Sequence, residues 1–141
     1  FRPMQTNDWG WGLAVGRAGH SGLQPGPNNL GNTYAYVPMS VSMRDDRVVV
    51  HANVGWVQDR QSRSNATTWG TGVEYWVHPK VMVIAESFGD DRQRPWVQTG
   101  VRFSVVPGLF QIDLTRGAQA GGQGRHIWNS FGLRYTPDKL F

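Results

Sequence analysis

The stretch Arg47–Asp59, RVVVHANVGWVQD, decides the fold. Val48, Val50, Ala52, Val54 and Trp56 share one parity; His51, Asn53, Gly55 and Asp59 share the other. Successive side chains of a β-strand point to opposite faces, so this stretch builds one apolar wall and one polar wall. The same split returns in segment after segment toward the C-terminus. The second wall is too polar to pack against another sheet, and no helix is available to cover the first. Lipid is the simplest solvent for that apolar wall.

Working outward, eight strands are expected: Asp8–Arg17, Thr33–Met43, Arg47–Asp59, Thr67–Val77, Val81–Gly89, Trp96–Val106, Leu109–Gly117 and His126–Thr136. Turn-formers separate them. Arg44-Asp45-Asp46, His78-Pro79-Lys80 and Pro107-Gly108 are tight. RAGHSGLQPGPNNLGN, RQSRSNA, DDRQRP and AQAGGQGR are long. Short and long connections therefore alternate, as they do when a sheet meanders between two different environments. No stretch holds apolar residues at i, i+3, i+4 and i+7, so helix is nearly absent.

Composition agrees with this picture. The 141 residues make one domain, with 18 Gly and 7 Trp. Mean hydropathy is negative, which says little about a barrel whose strands are half polar by construction. No apolar run is long enough for a membrane-spanning helix. There is no Cys, hence no disulfide framework and no Cys-based zinc site. The formal net charge is +4. The Arg residues form no aromatic-interleaved basic stripe, so nucleic acid is not an expected partner; anionic headgroups are. The chain begins at Phe1 rather than Met and shows no signal peptide, which suggests a mature product or a fragment.

Parity assigns the faces. The apolar face carries Trp9, Trp11, Leu13 and Val15, then Ala35 to Met43 in steps of two, Trp69, Val73, Tyr75, Val101, Phe103, Ile112, Leu114, Phe131 and Leu133. No charge is expected mid-strand there, because one at a bilayer midplane costs about 2–4 kcal/mol. Trp9, Trp56, Trp69, Tyr75 and Tyr135 lie toward strand ends, where an aromatic girdle meets headgroups. In Val81–Gly89 the two parities are alike in hydrophobicity. Glu86 is placed on the polar side there, together with Met82, Ile84 and Phe88.

On the polar face Glu74, Glu86, Arg102, Asp113 and Arg134 fall on neighbouring strands. A two-residue Pro107-Gly108 turn would pair Val106 with Leu109 and, by the same register, Arg102 with Asp113. A paired charge network filling a narrow lumen is the expected outcome. His51, Asn53, Gln98 and Gln111 add polar groups to it. The many Gly of this face (Gly10, Gly12, Gly70, Gly72, Gly100, Gly132) fit a strongly curved, crowded interior. Among His20, His51, His78 and His126 no pair has metal-ligand spacing with a third ligand behind it, so no metal or other cofactor is expected. His126 and Ser130 share a face but stand about 13 Å apart along one strand, so no catalytic set emerges and the chain reads as a non-enzyme. Arg60, Arg63, Arg92, Arg94 and Arg125, in or beside the long loops, suit either solvent or lipopolysaccharide phosphates.

HANVGWVQDR, VMVIAESFGDD, WVQTGVRFSVVPGLFQIDLTRG and the closing FGLRY resemble the C-terminal strands of proteobacterial outer-membrane β-barrels. The likeness is to barrels of the "MetA-pathway of phenol degradation" transporter family. Asn53/Gly55, Ala85/Glu86/Gly89, Gly100/Arg102/Phe103 and Gly132/Leu133/Arg134/Tyr135 match its motifs. The resemblance covers about two thirds of the chain. It implies that Phe141 is the aromatic end recognised by the barrel-assembly machinery, although PDKLF after Tyr135 departs from the usual pattern. It also implies further strands upstream, with Phe1-Arg2 the tail of one and Pro3–Asn7 its turn. Uptake of hydrophobic or aromatic compounds is the role it suggests, and it brings no catalytic residues.

The expectation is therefore an all-β, up-and-down antiparallel transmembrane β-barrel of about eight strands, or the C-terminal part of a wider one. It would lie in the outer membrane of a Gram-negative bacterium. Its role would be structural or that of a porin-like passive small-molecule channel, with other outer-membrane or periplasmic proteins as further partners. A soluble lipocalin- or avidin-like ligand-binding barrel is the alternative, with the apolar wall turned inward. An outer-membrane lipid hydrolase is the third reading.

Overall fold

A computed structural model describes residues 1–18, 32–59, 62–121 and 126–137. The Phe141 assembly signal, His20, Arg60 and Arg125 lie outside the described residues. The strands are β1 (Trp9–Trp11), β2 (Ala14–Ala18), β3 (Asn32–Met43), β4 (Val48–Asp59), β5 (Ser64–His78), β6 (Val81–Asp90), β7 (Trp96–Val106), β8 (Phe110–Gln119) and β9 (Ile127–Tyr135). All pair antiparallel in one meandering sheet, ordered β1-β3-β4-β5-β6-β7-β8-β9, with β2 also on β3.

β1 and β2 are one expected strand with a gap in it. Trp11 pairs with Met39 and Ala14 with Tyr36, so the register is continuous across the break. At the break Gly12 N–H donates to the Pro38 carbonyl at 3.0 Å. Proline has no N–H to return, so the ladder lapses there. Counted this way, the strands match the eight expected segments.

Two expected boundaries are corrected. β5 begins at Ser64, not Thr67, because Asn65 and Ala66 already pair with Gln58 and Val57. β8 runs on to Gln119, which pairs with Trp96. A third correction concerns the turn after β7. Val106 pairs with Phe110 rather than Leu109, and the register shifts between Ser104 and Val106. Gly108 takes φ 76° and Leu109 N–H donates to the Val106 carbonyl at 3.0 Å, so the turn holds one residue more than expected.

The β3–β4 turn is built with equal care. Arg44, Asp45 and Asp46 all adopt left-handed backbone, with φ of 56, 56 and 62°. The N-terminal segment braces it: Asn7 Nδ2 donates to Asp45 Oδ1 and Asp45 N–H donates to Asn7 Oδ1, both at 2.7 Å. The Ser42 hydroxyl donates to Asp46, and Thr6 Oγ1 donates to its other oxygen at 2.7 Å. These bonds, Ser42's first and Thr6's second, hold the Asp46 carboxyl below its ordinary value of 3.8.

The first and last strands of this path do not pair with each other among the described residues, so the sheet is open. One outer position of β1 is already taken. Arg2 and Trp11 exchange two backbone bonds, at 3.0 and 2.9 Å, on the side of β1 away from β3.

Parity sorts the faces as expected, and exposure along β5 alternates residue by residue. The small core lies on the polar face, not the apolar one. Val49, Met82 and Ile84 are the buried hydrophobic residues, with Ser42 and Ser104 buried beside them. The apolar face is bare: Leu13 is 67% exposed, Val54 55%, Phe131 64% and Leu133 61%. Arg116 corrects the expectation of an uncharged apolar face. It pairs with Thr99 and Asn129, in the parity of Ile112 and Leu114. The extension of β8 to Gln119 puts it three residues from the strand end instead of one.

Candidate functional site

The polar face gathers the charged residues around Arg102. Its partner across β7 and β8 is Asp113, as the register requires. Arg102 Nε donates to Asp113 Oδ1 at 2.7 Å and Nη2 donates to Oδ2 at 3.1 Å, a bidentate fork. Nη1 lies 3.6 Å from Glu74 Oε1, two strands away on β5. Met82, between them on β6, places its sulfur 3.9 Å from the same nitrogen. The three charged side chains are 18–27% exposed, so neutralisation by pairing is what lets them sit there. Gly132, the residue beside Asp113 on β9, leaves the carboxylate room.

Glu86 stands outside this cluster. Its carboxylate accepts a bond from Gln98 Nε2 at 2.7 Å. In register it follows Gly72 and His51, so His51 and Glu86 face each other across a residue without a side chain. Two strand spacings separate them, about 10 Å. Between them lies a cleft of about 250 Å³, lined also by Asn53, Gly70 and Phe88. His51 Nδ1 is 2.8 Å from the Ser40 hydroxyl. The cleft thus offers an imidazole, an amide, a carboxylate and a ring to a small polar guest. The Ser40–His51 pair has no carboxylate bonded to the imidazole among the described residues, so no triad is completed there.

Arg134 and Gln111 are register neighbours on β9 and β8. Arg134 makes no ion pair among the described residues, and the Gln111 Oε1 atom is buried without a hydrogen bond. Of the five expected network residues, then, three meet, Glu86 bonds to Gln98 instead, and Arg134 remains apart on the edge strand.

The other expected groups also separate. The His126 ring lies edge-on to Trp96, centroids 6.0 Å apart, while the Ser130 hydroxyl bonds to Thr115. The His78 ring nitrogen accepts from Lys80 N–H at 3.2 Å inside a tight turn. Arg92 and Arg94 donate to the carbonyls of Asn65 and Gly121, tying adjacent loops together. No cluster of three metal-ligating side chains occurs among the described residues.

The five aromatic residues expected to form a girdle share the apolar face, each exposed by 37% or more. Trp9, Tyr75 and Tyr135 lie near the tight-turn end, Trp56 and Trp69 near the long-loop end.

One group was not assigned from the sequence. On the polar face, near the long-loop end, Trp96 and Trp128 stack edge to face at 5.3 Å, and Phe88 meets Trp128 at 6.5 Å. Trp128 reaches them by lying over Gly117, whose missing side chain leaves the space it occupies. The parity these rings share with Gln98, Glu86 and Ser130 was the available signal.

No curated protein and no solved structure matches the chain at a significant level. A family model matches residues 2–135, nearly the whole chain. The chain belongs to that family, described as uncharacterised conserved protein UCP029691.

Proposed function

We propose that the chain is the wall of an outer-membrane β-barrel of a Gram-negative bacterium, with its apolar face in lipid and its polar face lining the interior. The inverted burial carries this reading. Among the described residues Val49, Met82 and Ile84 are the buried hydrophobic ones, while most of the Val, Leu, Ile, Phe, Met and Trp of one face stay exposed. Each such side chain left in water forgoes about 1.5–3 kcal/mol. Among the described residues there is no other core to offset that.

Strand length supports the same reading. β3 to β9 hold 12, 12, 15, 10, 11, 10 and 9 residues. A tilted strand needs about 9–11 residues to cross a bilayer. Aromatic residues near both ends of the bare face supply the two interfacial belts such barrels carry.

The role that fits is a structural barrel or a passive channel for small molecules. The paired charges and the cleft beside His51 and Glu86 would form its polar lining. Hydrophobic or aromatic compounds as cargo rest on the resemblance of the strand motifs and on the Phe88–Trp96–Trp128 rings. Lipopolysaccharide outside and the barrel-assembly machinery inside would be its partners.

The test is the chain refolded in detergent, run unboiled beside a boiled sample on a cold denaturing gel, with an aqueous refolding control. The expected result is a compact band that shifts on boiling and forms only with detergent. A monomer that folds in plain buffer would overturn the membrane reading and favour a soluble ligand-binding barrel.

A further inference from the structure

Two charged side chains of the described strands have apolar-face parity. Arg17 closes β2 at the long-loop end. Arg116 lies inside β8, three residues from its end. It is exposed, and no described residue hydrogen-bonds to it or forms an ion pair with it. A guanidinium held on an apolar wall without a counter-charge is unfavourable unless an anion joins it from outside.

Its neighbours suit such an anion. Thr99 and Asn129 flank Arg116 in register on β7 and β9, making a row of hydroxyl, guanidinium and amide across three strands. This row is the upper end of a groove of about 660 Å³ on the same face. Below it, toward the tight turns, the groove is apolar: the next row in register is Tyr75, Val83, Val101 and Leu114. Ala85, in the same row as Thr99 and Arg116, keeps the floor low at the upper end.

The groove is therefore directional. Its cationic end faces the long loops and its greasy end runs toward the middle of the strands. A headgroup phosphate with an acyl chain beneath it has that shape and that order of polarity. Arg binds phosphate through two parallel N–H donors.

We propose that the Arg116 groove holds one anionic, phosphate-bearing lipid of the leaflet nearest the long loops. The inference rests on the membrane reading and adds a specific lipid site to it.

The test uses the full chain refolded in detergent, with native mass spectrometry reading bound lipid. Phosphatidylglycerol, phosphatidylcholine and inorganic phosphate are the probes. Phosphatidylglycerol should bind about tenfold more tightly than phosphatidylcholine, the effect of one charge-assisted contact. Arg116→Gln should abolish that preference and Arg116→Lys should keep part of it. Arg63→Gln, a loop substitution, should leave it intact. Inorganic phosphate should not compete.

Preference retained in Arg116→Gln would overturn the proposal, as would full competition by inorganic phosphate. The boiling-dependent gel shift is read first for both wild type and Arg116→Gln. If the wild type shows no shift, the barrel reading and the lipid site fall together. If it shifts but has no lipid preference, the lipid site alone falls.

Discussion

Arg102 and Asp113 show what single residues contribute. Their fork is half-buried, with Asp113 26% exposed, so the pair is neither a surface ornament nor a sealed ion pair. Asp113→Ala leaves Arg102 facing Glu74 alone, at 3.6 Å. We expect it to lower unfolding stability in detergent by about 2 kcal/mol, the scale of a hydrogen bond to a charged group. The triple change Arg102→Met, Asp113→Leu and Glu74→Gln should recover most of that, because no charge of the cluster is then left without its partner. Denaturant midpoints of the three proteins check both statements. If Asp113→Ala shifts the midpoint no more than a surface substitution does, the fork contributes nothing. This pair was legible in the sequence because register counts outward from a turn, and the extra residue in the turn is absorbed before position 104. Arg116 was hidden because its place on the strand depends on where β8 stops. Pairing with Trp96 sets that end, and local sequence does not.

At the scale of the element, Gly117 on β8 explains how the Trp128 indole of β9 comes to meet Trp96 and Phe88 on the polar face. The two are register partners, and the indole lies in the space a side chain at 117 would fill. Gly117→Val should push the indole off Trp96 and cost about 1–3 kcal/mol, the usual range for overpacking. The near-ultraviolet circular dichroism of the Trp96–Trp128 pair, now 5.3 Å apart, should weaken in proportion. An unchanged spectrum would mean the rings are not held by that vacancy. The eight strand segments were legible because a period of two, bounded by turn-formers, needs no distant information. The Gly12–Pro38 break was not foreseen, although its cause is local. It depends on which β1 residue lies opposite the proline, and that is a matter of register.

For the whole molecule, the two faces must meet two solvents, and the seven Trp report on both. Trp9, Trp11, Trp56 and Trp69 have apolar-face parity; Trp76, Trp96 and Trp128 have polar-face parity. The alternation that assigns them was plain from the sequence. Whether the sheet closes was not, since closure depends on the most distant strands meeting, and here Arg2 already holds part of the outer edge of β1. Single-Trp variants in vesicles of brominated lipid separate the two candidate solvents. Trp56 and Trp69 should be quenched by bromine near the headgroups on the long-loop side, and Trp9 by shallow bromine on the other. Trp96 and Trp128 should escape bromine and yield to acrylamide from water. The soluble-barrel reading demands the reverse, with Trp9, Trp56 and Trp69 shielded from acrylamide around a ligand and Trp96 and Trp128 in bulk solvent. Equal bromine quenching of Trp56 and Trp128 would fit neither, because it would mean that residues of opposite parity share one environment. The strand geometry that separates the two faces would then have to be abandoned along with the function built on it.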